Sequence, residues 1–366
     1  MVEHCPPLCF DPLVILITDE RCTEYHSPGH PERPERIRGT VAKLRGLPSL
    51  KITWEKPVAV DPGVLLRAHT SNHIQRLGEA KSDFDGDTPA HPGIFEHALR
   101  GVGGGLAALA AARRGEPNLS LLRPPGHHAT SSRAMGFCYL GTVAITVLEA
   151  LQTGAKRVAV LDFDVHHGNG TQDIFYDDPN VLFFSAHQFP YYPGTGAAAE
   201  MGGTAAYGAT VNVPFPSHVG DAGYLEAFQR ILTPLARRFK PELILLSAGY
   251  DAHWMDPLAS MGLSISGYMA LVEHLLELAD ELCGGRLVCV LEGGYHLDVL
   301  SHSVLSTFRA LRGDAAGPSD PFGPAPSQER DASSLLGKLK ALHGVRDSTF
   351  YSLPRNWLDW GDEFGI

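Results

Sequence analysis

Short runs of apolar residues recur along the second half of the chain, and each leads into polar, glycine-rich sequence. Residues 119–122 lead into RPPGHHA, 158–161 into DFDVHHGNG, 181–185 into AHQFPYYPGTG, 243–246 into SAGYDAH, and 287–291 into EGGYH. Runs this short read as buried strands. Residues 142–153, 223–239 and 266–282 separate most of them and carry helical spacing. Strands alternating with helices predict a parallel sheet covered on both faces. Ligands of such sheets bind at the carboxyl ends of the strands, so the five polar clusters are expected to converge on one site. Upstream, residues 13–17 predict a first strand, 36–47 a helix, 51–60 a weak strand, 65–80 a helix and 94–114 a long alanine-rich helix. TEYHSPGHPERPERI and SDFDGDTPAHPG read as loops. The glycines of GVGGG fall inside a helical pattern, not between a strand and a helix, which argues for close packing and against a dinucleotide site. Residues 311–334 read as a linker or surface excursion, followed by a helical SSLLGKLKAL and an aromatic tail with Trp357 and Trp360. The division expected is a body over 1–310 and an extension over 311–366, packed on that body or on a partner subunit in a homo-oligomer.

The densest chemistry lies in residues 157–170, RVAVLDFDVHHGNG. In extended chain, residues two apart share a face, so Asp162, Asp164 and His166 are expected to point together. Two carboxylates and an imidazole on one face form a metal site. Asp164 and His166 supply two ligands, and Asp251 of SAGYDAH is the best candidate from another strand end. Such an oxygen-rich set differs from cysteine-based structural zinc and leaves a coordination position for water and substrate. His127 and His128 follow a strand and a PPG turn. Adjacent imidazoles in a core would each need a polar partner; here one suits a general base and the other a charged neighbour. Asp162 and Asn169 have the chemistry to orient them. A carboxylate raises an imidazole's pKa and a neutral amide does so much less, making the amide-paired histidine the better base. Tyr295, after the Gly-Gly of EGGYH, suits an oxyanion donor.

With 44% hydrophobic and 19% charged residues in 366, the chain has the makings of an ordinary soluble protein with a large core. Its net charge of -11 argues against a nucleic-acid-binding body. Six cysteines without a CxxC pair fit a reducing compartment. With neither a signal-peptide pattern nor a membrane-length apolar run, the expected location is cytoplasmic.

RPPGHHA, GFCYLGTVAI, LDFDVHHGNG, YYPGTG, SAGYDAH and LEGGYH occur in an order that resembles the zinc-dependent histone deacetylase superfamily. HSPGHPERPERI and DGDTPAHPGIF are similar to its class II and bacterial amidohydrolase-like members. The resemblance spans roughly residues 15–310 and implies a single open α/β arginase–deacetylase domain with a parallel sheet of about eight strands. It implies zinc on Asp164, His166 and Asp251, catalytic His127 and His128 partnered by Asp162 and Asn169, and Tyr295 as the transition-state tyrosine. Phe137 and Tyr192 match the tunnel walls, Gly136 the carbonyl that meets the substrate amide, and Asp87 a rim acid. Potassium is implied at Asp162, Asp164, His166, Ser185 and Ala186, and again at Phe175, Asp178 and Val181. Arg36 matches the arginine of a product-release channel. The sequence departs from the pattern at Gly141, at HWMDPLASM and in the tail. The implied activity is removal of acetyl or another short acyl group from acyl-lysine peptides or proteins. The acids of SDFDGD leave acetylated polyamines as a rival substrate, and a scaffold without catalysis is disfavoured by the intact Tyr295 and histidine pair.

Overall fold

The computed structural model describes residues 13–314 and 320–346. Eight strands form one sheet: β1 (Ile15–Ile17), β2 (Thr53–Glu55), β3 (Asn118–Ser120), β4 (Val158–Asp162), β5 (Val181–Gln188), β6 (Thr210–Phe215), β7 (Leu243–Ala248) and β8 (Leu287–Leu291). Every pairing is parallel, and the spatial order is β2-β1-β3-β8-β7-β4-β5-β6. All residues of β4, β5, β7 and β8 are buried. Their near-continuous apolar sequence follows from helices covering both faces. In register, Asp162 at the end of β4 lies level with Ser185 of β5 on one side and Ser247 of β7 on the other. The central strands therefore release their polar clusters at one edge.

The main core runs through the sheet and the helices Ile265–Cys283 and Leu297–Arg312. A second cluster, including Tyr25, Leu65, Phe84, Tyr139 and Ile145, packs the N-terminal loops. The helix Ile94–Arg113 contains the GVGGG segment, and a Cβ on Gly104 would lie 2.3 Å from a Leu122 methyl. Those glycines serve packing.

Several expectations need correction. The helix expected over 65–80 divides into a 3-10 turn, Pro62–Arg67, and a helix, Ser71–Glu79, because Thr70 leaves helical geometry and accepts the His73 amide on its hydroxyl. The strand expected over 51–60 contracts to the edge strand β2. Strand β6 and the helices Asn169–Phe175 and Leu297–Arg312 are additional. The helix expected over 223–239 runs from Asp221 to Phe239 with a π segment at Phe228–Leu232. The C-terminal helix is Ser333–Leu342, whereas Trp357 and Trp360 lie outside the described residues. Among the described residues, no helix is long and apolar enough to cross a membrane.

Candidate active site

Strand β4 ends at Asp162, and beyond it the chain turns instead of continuing extended. The period-two reading of 162, 164 and 166 thus fails in its geometry. Asp164 Oδ1 accepts the His166 amide at 2.9 Å, and Asp162 Oδ1 accepts the Asp164 amide at 3.0 Å. Two successive side-chain-to-backbone turns bring Asp164 and His166 together. Asp251 joins them from the loop after β7, and donor atoms of the three lie within 4.8 Å of one another, all buried. His166 Nδ1 is 3.2 Å from Asp164 Oδ1 and 3.3 Å from Asp251 Oδ2. Asp251 Oδ2 is buried without a hydrogen-bond partner. Glycines make room for the carboxylates: a Cβ on Gly249 would sit 2.1 Å from Asp164 Oδ2, and one on Gly293 would sit 2.0 Å from Asp251 Oδ2. Burial opposes charge on His166, but the two carboxylates raise its pKa to about 10. The two buried carboxylates favour positive charge between them, which a bound cation can supply. An oxygen-rich Asp-His-Asp set with an orphaned carboxylate oxygen fits a catalytic zinc.

Behind this cluster the two histidines have different partners. His127 Nδ1 lies 3.0 Å from Asp162 Oδ2, and its Nε2 lies 3.7 Å from Asp164 Oδ2. Although burial disfavours its charge, Asp164 and Asp162 hold its pKa well above the usual imidazole range. His128 Nδ1 lies 2.7 Å from Asn169 Oδ1. Asn169 Nδ2 meets Met135 Sδ at 3.4 Å, so the amide oxygen faces the ring. His128 therefore donates from Nδ1 and keeps a lone pair on Nε2. Burial first, then positive charge on His127 and His166, pushes its pKa well down.

Tyr295 follows β8 and is buried, with its ring edge-on to Phe137 at 5.7 Å between centroids. Two carboxylates that the sequence reading overlooked brace the backbone of Tyr295 and of the histidine pair. Asp256 Oδ2 accepts the amides of Tyr295 at 2.7 Å and His296 at 3.1 Å. Glu292 Oε2 accepts the amides of Gly126 at 2.6 Å and His127 at 3.1 Å, fastening the histidine turn to the end of β8. Arg36 donates to the carbonyls of Gly294 and Glu292 and to Glu32, and its guanidinium lies over the Tyr295 ring at 5.0 Å. Glu32 also bonds Arg123 through both carboxylate oxygens. The HPERPERI loop and the RPPGHHA turn are thus joined by a buried carboxylate between two guanidiniums.

Gly136 and Phe137 both have left-handed backbone, with φ of 56° and 67°. A Cβ on Gly136 would lie 2.4 Å from the His128 ring, so only glycine lets the turn approach this closely. Tyr192 stands edge-on to His128 at 5.1 Å, and Phe137 meets the ring of His30 at 4.7 Å. Asp87 lies on the neighbouring loop, where Thr88 Oγ1 accepts the Phe137 amide at 3.1 Å and His30 Nε2 donates to the Asp87 carbonyl at 3.0 Å. Ser185 and Ala186 lie in β5 beside Asp162. Phe175, Asp178 and Val181 lie on two successive tight turns, with the Asp178 amide donating to the Phe175 carbonyl and the Val181 amide to the Asp178 carbonyl.

An all-parallel α/β domain that gathers carboxylates, paired imidazoles and a phenol at the carboxyl edge of its sheet has the construction of an enzyme. The histone deacetylase domain matches residues 30–311, and the chain belongs to the histone deacetylase family. It is 39% identical over 348 residues to a probable deacetylase of Archaeoglobus fulgidus, covering 91% of this chain and 95% of that protein. It is also 39% identical over 307 residues to a histone deacetylase-like amidohydrolase of Pseudomonas aeruginosa, covering 80% of each. The crystal structure of the HDA15 HD domain matches with a TM-score of 0.81 at 32% identity, over 91% of this chain and 94% of that one. The family is one of deacetylases and amidohydrolases, hydrolases that act on amides, and the expected fold class holds.

Proposed function

We propose that this chain is a zinc-dependent amidohydrolase that removes acetyl or another short acyl group from acyl-lysine side chains. Asp164, His166 and Asp251 would hold one zinc ion, which when bound polarises the amide carbonyl and acidifies water. His128 Nε2, neutral and unprotonated, takes the proton of the attacking water. His127 remains protonated against Asp162 and stabilises negative charge as it develops. The Tyr295 hydroxyl donates to the tetrahedral oxyanion, and the His128 imidazolium returns its proton to the leaving amine. Phe137 and Tyr192 flank the lysine stem, the Gly136 carbonyl receives the amide N–H, and Asp87 holds the substrate backbone at the rim. Asp162, Asp164, His166, Ser185 and Ala186 would hold one potassium ion, and the turns of Phe175, Asp178 and Val181 a second. The pairing of Asp162 with Ser185 and the successive carbonyls of those turns support this reading.

The observation that carries the proposal is the meeting of the Asp164, His166 and Asp251 donor atoms, one carboxylate oxygen orphaned, beside a histidine pair with one charged and one neutral partner. The test is acetate release from an acetyl-lysine peptide by zinc-loaded protein, with and without a chelator. Release that the chelator abolishes is expected; a folded, zinc-loaded chain that hydrolyses no acyl amide ends the proposal. Asp87 packs beside Asp85, whose Oδ1 accepts its amide at 3.1 Å. This acidic rim supports acetylated polyamines as a second reading, which relative rates on the two substrate classes separate.

A further inference from the structure

The family match ends at residue 311, yet residues 320–323 lie directly on the loops that carry the site. Asp320 Oδ2 accepts the Ile265 amide at 2.9 Å at the start of the helix Ile265–Cys283. Its Oδ1 accepts the amides of Phe322 at 2.9 Å and Gly323 at 3.0 Å, forming a tight turn. The Gly323 carbonyl receives the Trp254 indole N–H at 3.0 Å. This turn directs the Phe322 ring at His253, His296 and His302, edge-on to each, with centroids 6.1, 6.2 and 5.6 Å away.

Two of those histidines flank one carboxylate. The His253 carbonyl receives the Asp256 amide at 2.9 Å, and His253 Nδ1 receives the Met255 amide at 3.1 Å, which sets the turn that presents Asp256. Asp256 in turn accepts the amides of Tyr295 and His296. Phe322 packs against the loop that offers this clamp and the residue that receives it. Asp256 holds the backbone of Tyr295 while Arg36 and Phe137 contact its ring, so the clamp fixes the main chain from which the hydroxyl reaches.

We infer that Phe322 is a positioning residue for Tyr295: the turn Asp320–Gly323 closes over the Asp256 clamp and makes a segment beyond the family domain part of the catalytic apparatus. This rests on the proposed role of Tyr295 as oxyanion donor. The experiment compares full-length wild type with F322A, F322W, Y295F and the F322A/Y295F double variant on an acetyl-lysine peptide. Zinc content and hydrogen–deuterium exchange are followed in parallel. F322A is expected to lower kcat about tenfold with little change in KM or bound zinc, since small misplacement of a reacting group is felt mainly in turnover. F322W should restore most of it. In the Y295F background the same substitution should change kcat less than about twofold, because a group acting through Tyr295 has nothing left to position. Exchange of the Tyr295 and His296 amides should accelerate in F322A while residues 158–166 stay protected. An equal loss of turnover in both backgrounds, or unchanged exchange at Tyr295 and His296, overturns the inference. If F322A does not fold, W254F, which removes the bond to Gly323, enters the same cycle with the same criteria. A wild type that hydrolyses no acyl amide defeats the proposed function instead, and the exchange data still decide whether Phe322 orders the clamp.

Discussion

His127 and His128 are adjacent in sequence, their rings are 4.0 Å apart, and their surroundings are opposite. His127 turns toward the sheet, against Asp162 at the end of β4 and within 3.7 Å of Asp164. His128 instead meets the side-chain amide of Asn169 at the start of a short helix. Both are buried, and burial alone disfavours charge on either. On the inner side the carboxylates overcome that penalty. On the outer side a neutral amide does not, and the positive charge on the inner ring adds to it. One position along the chain thus separates an imidazole whose surroundings favour its charged form from one whose surroundings favour its neutral form.

The largest effect should come from exchanging these roles by deletion. H128A is expected to lower kcat by about a thousandfold or more, within the range of lost general acid–base catalysis, and H127A by about a hundredfold. Single-turnover rates on an acetyl-lysine peptide measure both, and equal losses would erase the distinction. Y295F, which spares both imidazoles, should lower kcat a hundred- to a thousandfold, roughly the value of one oxyanion donor, with zinc still bound. A subtler change makes the outer side resemble the inner one. N169D gives His128 a carboxylate partner, which raises its pKa. Because His128 must be neutral to accept a proton, the acid limb of the pH–rate profile should move up by about one unit. A limb that stays in place would remove Asn169 from control of the base.

The smallest effect concerns stability, with His69 as a third imidazole for reference. Its Nδ1 donates to the Thr130 carbonyl at 2.9 Å and its Nε2 accepts the Gly141 amide at 2.9 Å, so no site is left for a second proton. Burial, aided by His73, lowers its pKa to about 4. The folded chain therefore binds fewer protons at His69 than the unfolded chain does. Stability from this group is complete above the unfolded pKa of about 6.5 and declines as the pH falls toward 4. By pH 5 the loss should be about 2 kcal/mol relative to neutral pH. H69Q, which offers the same donor and acceptor but cannot charge, should show a flatter dependence in urea unfolding midpoints.

What was legible in the sequence followed from local chemistry. Apolar runs of four or five residues located five central strands, and the polar residues directly after them include Asp164, His166 and Asp251, the histidine pair and Tyr295. Strand β6 was missed because TVNVPF carries Asn212 and Pro214, and a proline there is tolerable only because β6 is an edge strand. The helix Leu297–Arg312 escaped notice because Ser301, Ser303, Ser306 and Thr307 are buried among its apolar residues and blur the stripe. The supports were illegible for a different reason. Glu32 meets Arg123 across 91 positions, and Glu292 meets Gly126 across 166. A lone glutamate whose partners are set by the finished fold has no local pattern. Burial, only partly offset by His127, pushes the Glu292 pKa to about 7, which composition cannot foretell. Asp256 stands within HWMDPLASM with no local pattern to mark it, and its tie to Tyr295 required two loops to be in place.

The strand order has a consequence for how the molecule comes into being during synthesis. The last strand to be made, β8, lies between β3 and β7 and is the only strand that hydrogen-bonds to both. Without residues 287–291 the strand order falls into two groups, β2-β1-β3 and β7-β4-β5-β6, with no pairing between them. His127 and His128 follow one of them, and Asp164, His166 and Asp251 follow the other. Insertion of β8 joins the halves and delivers Tyr295 in the same event. A nascent chain stalled before that point would hold Asp164, His166 and Asp251 without the strand that ties their half of the sheet to the histidine pair.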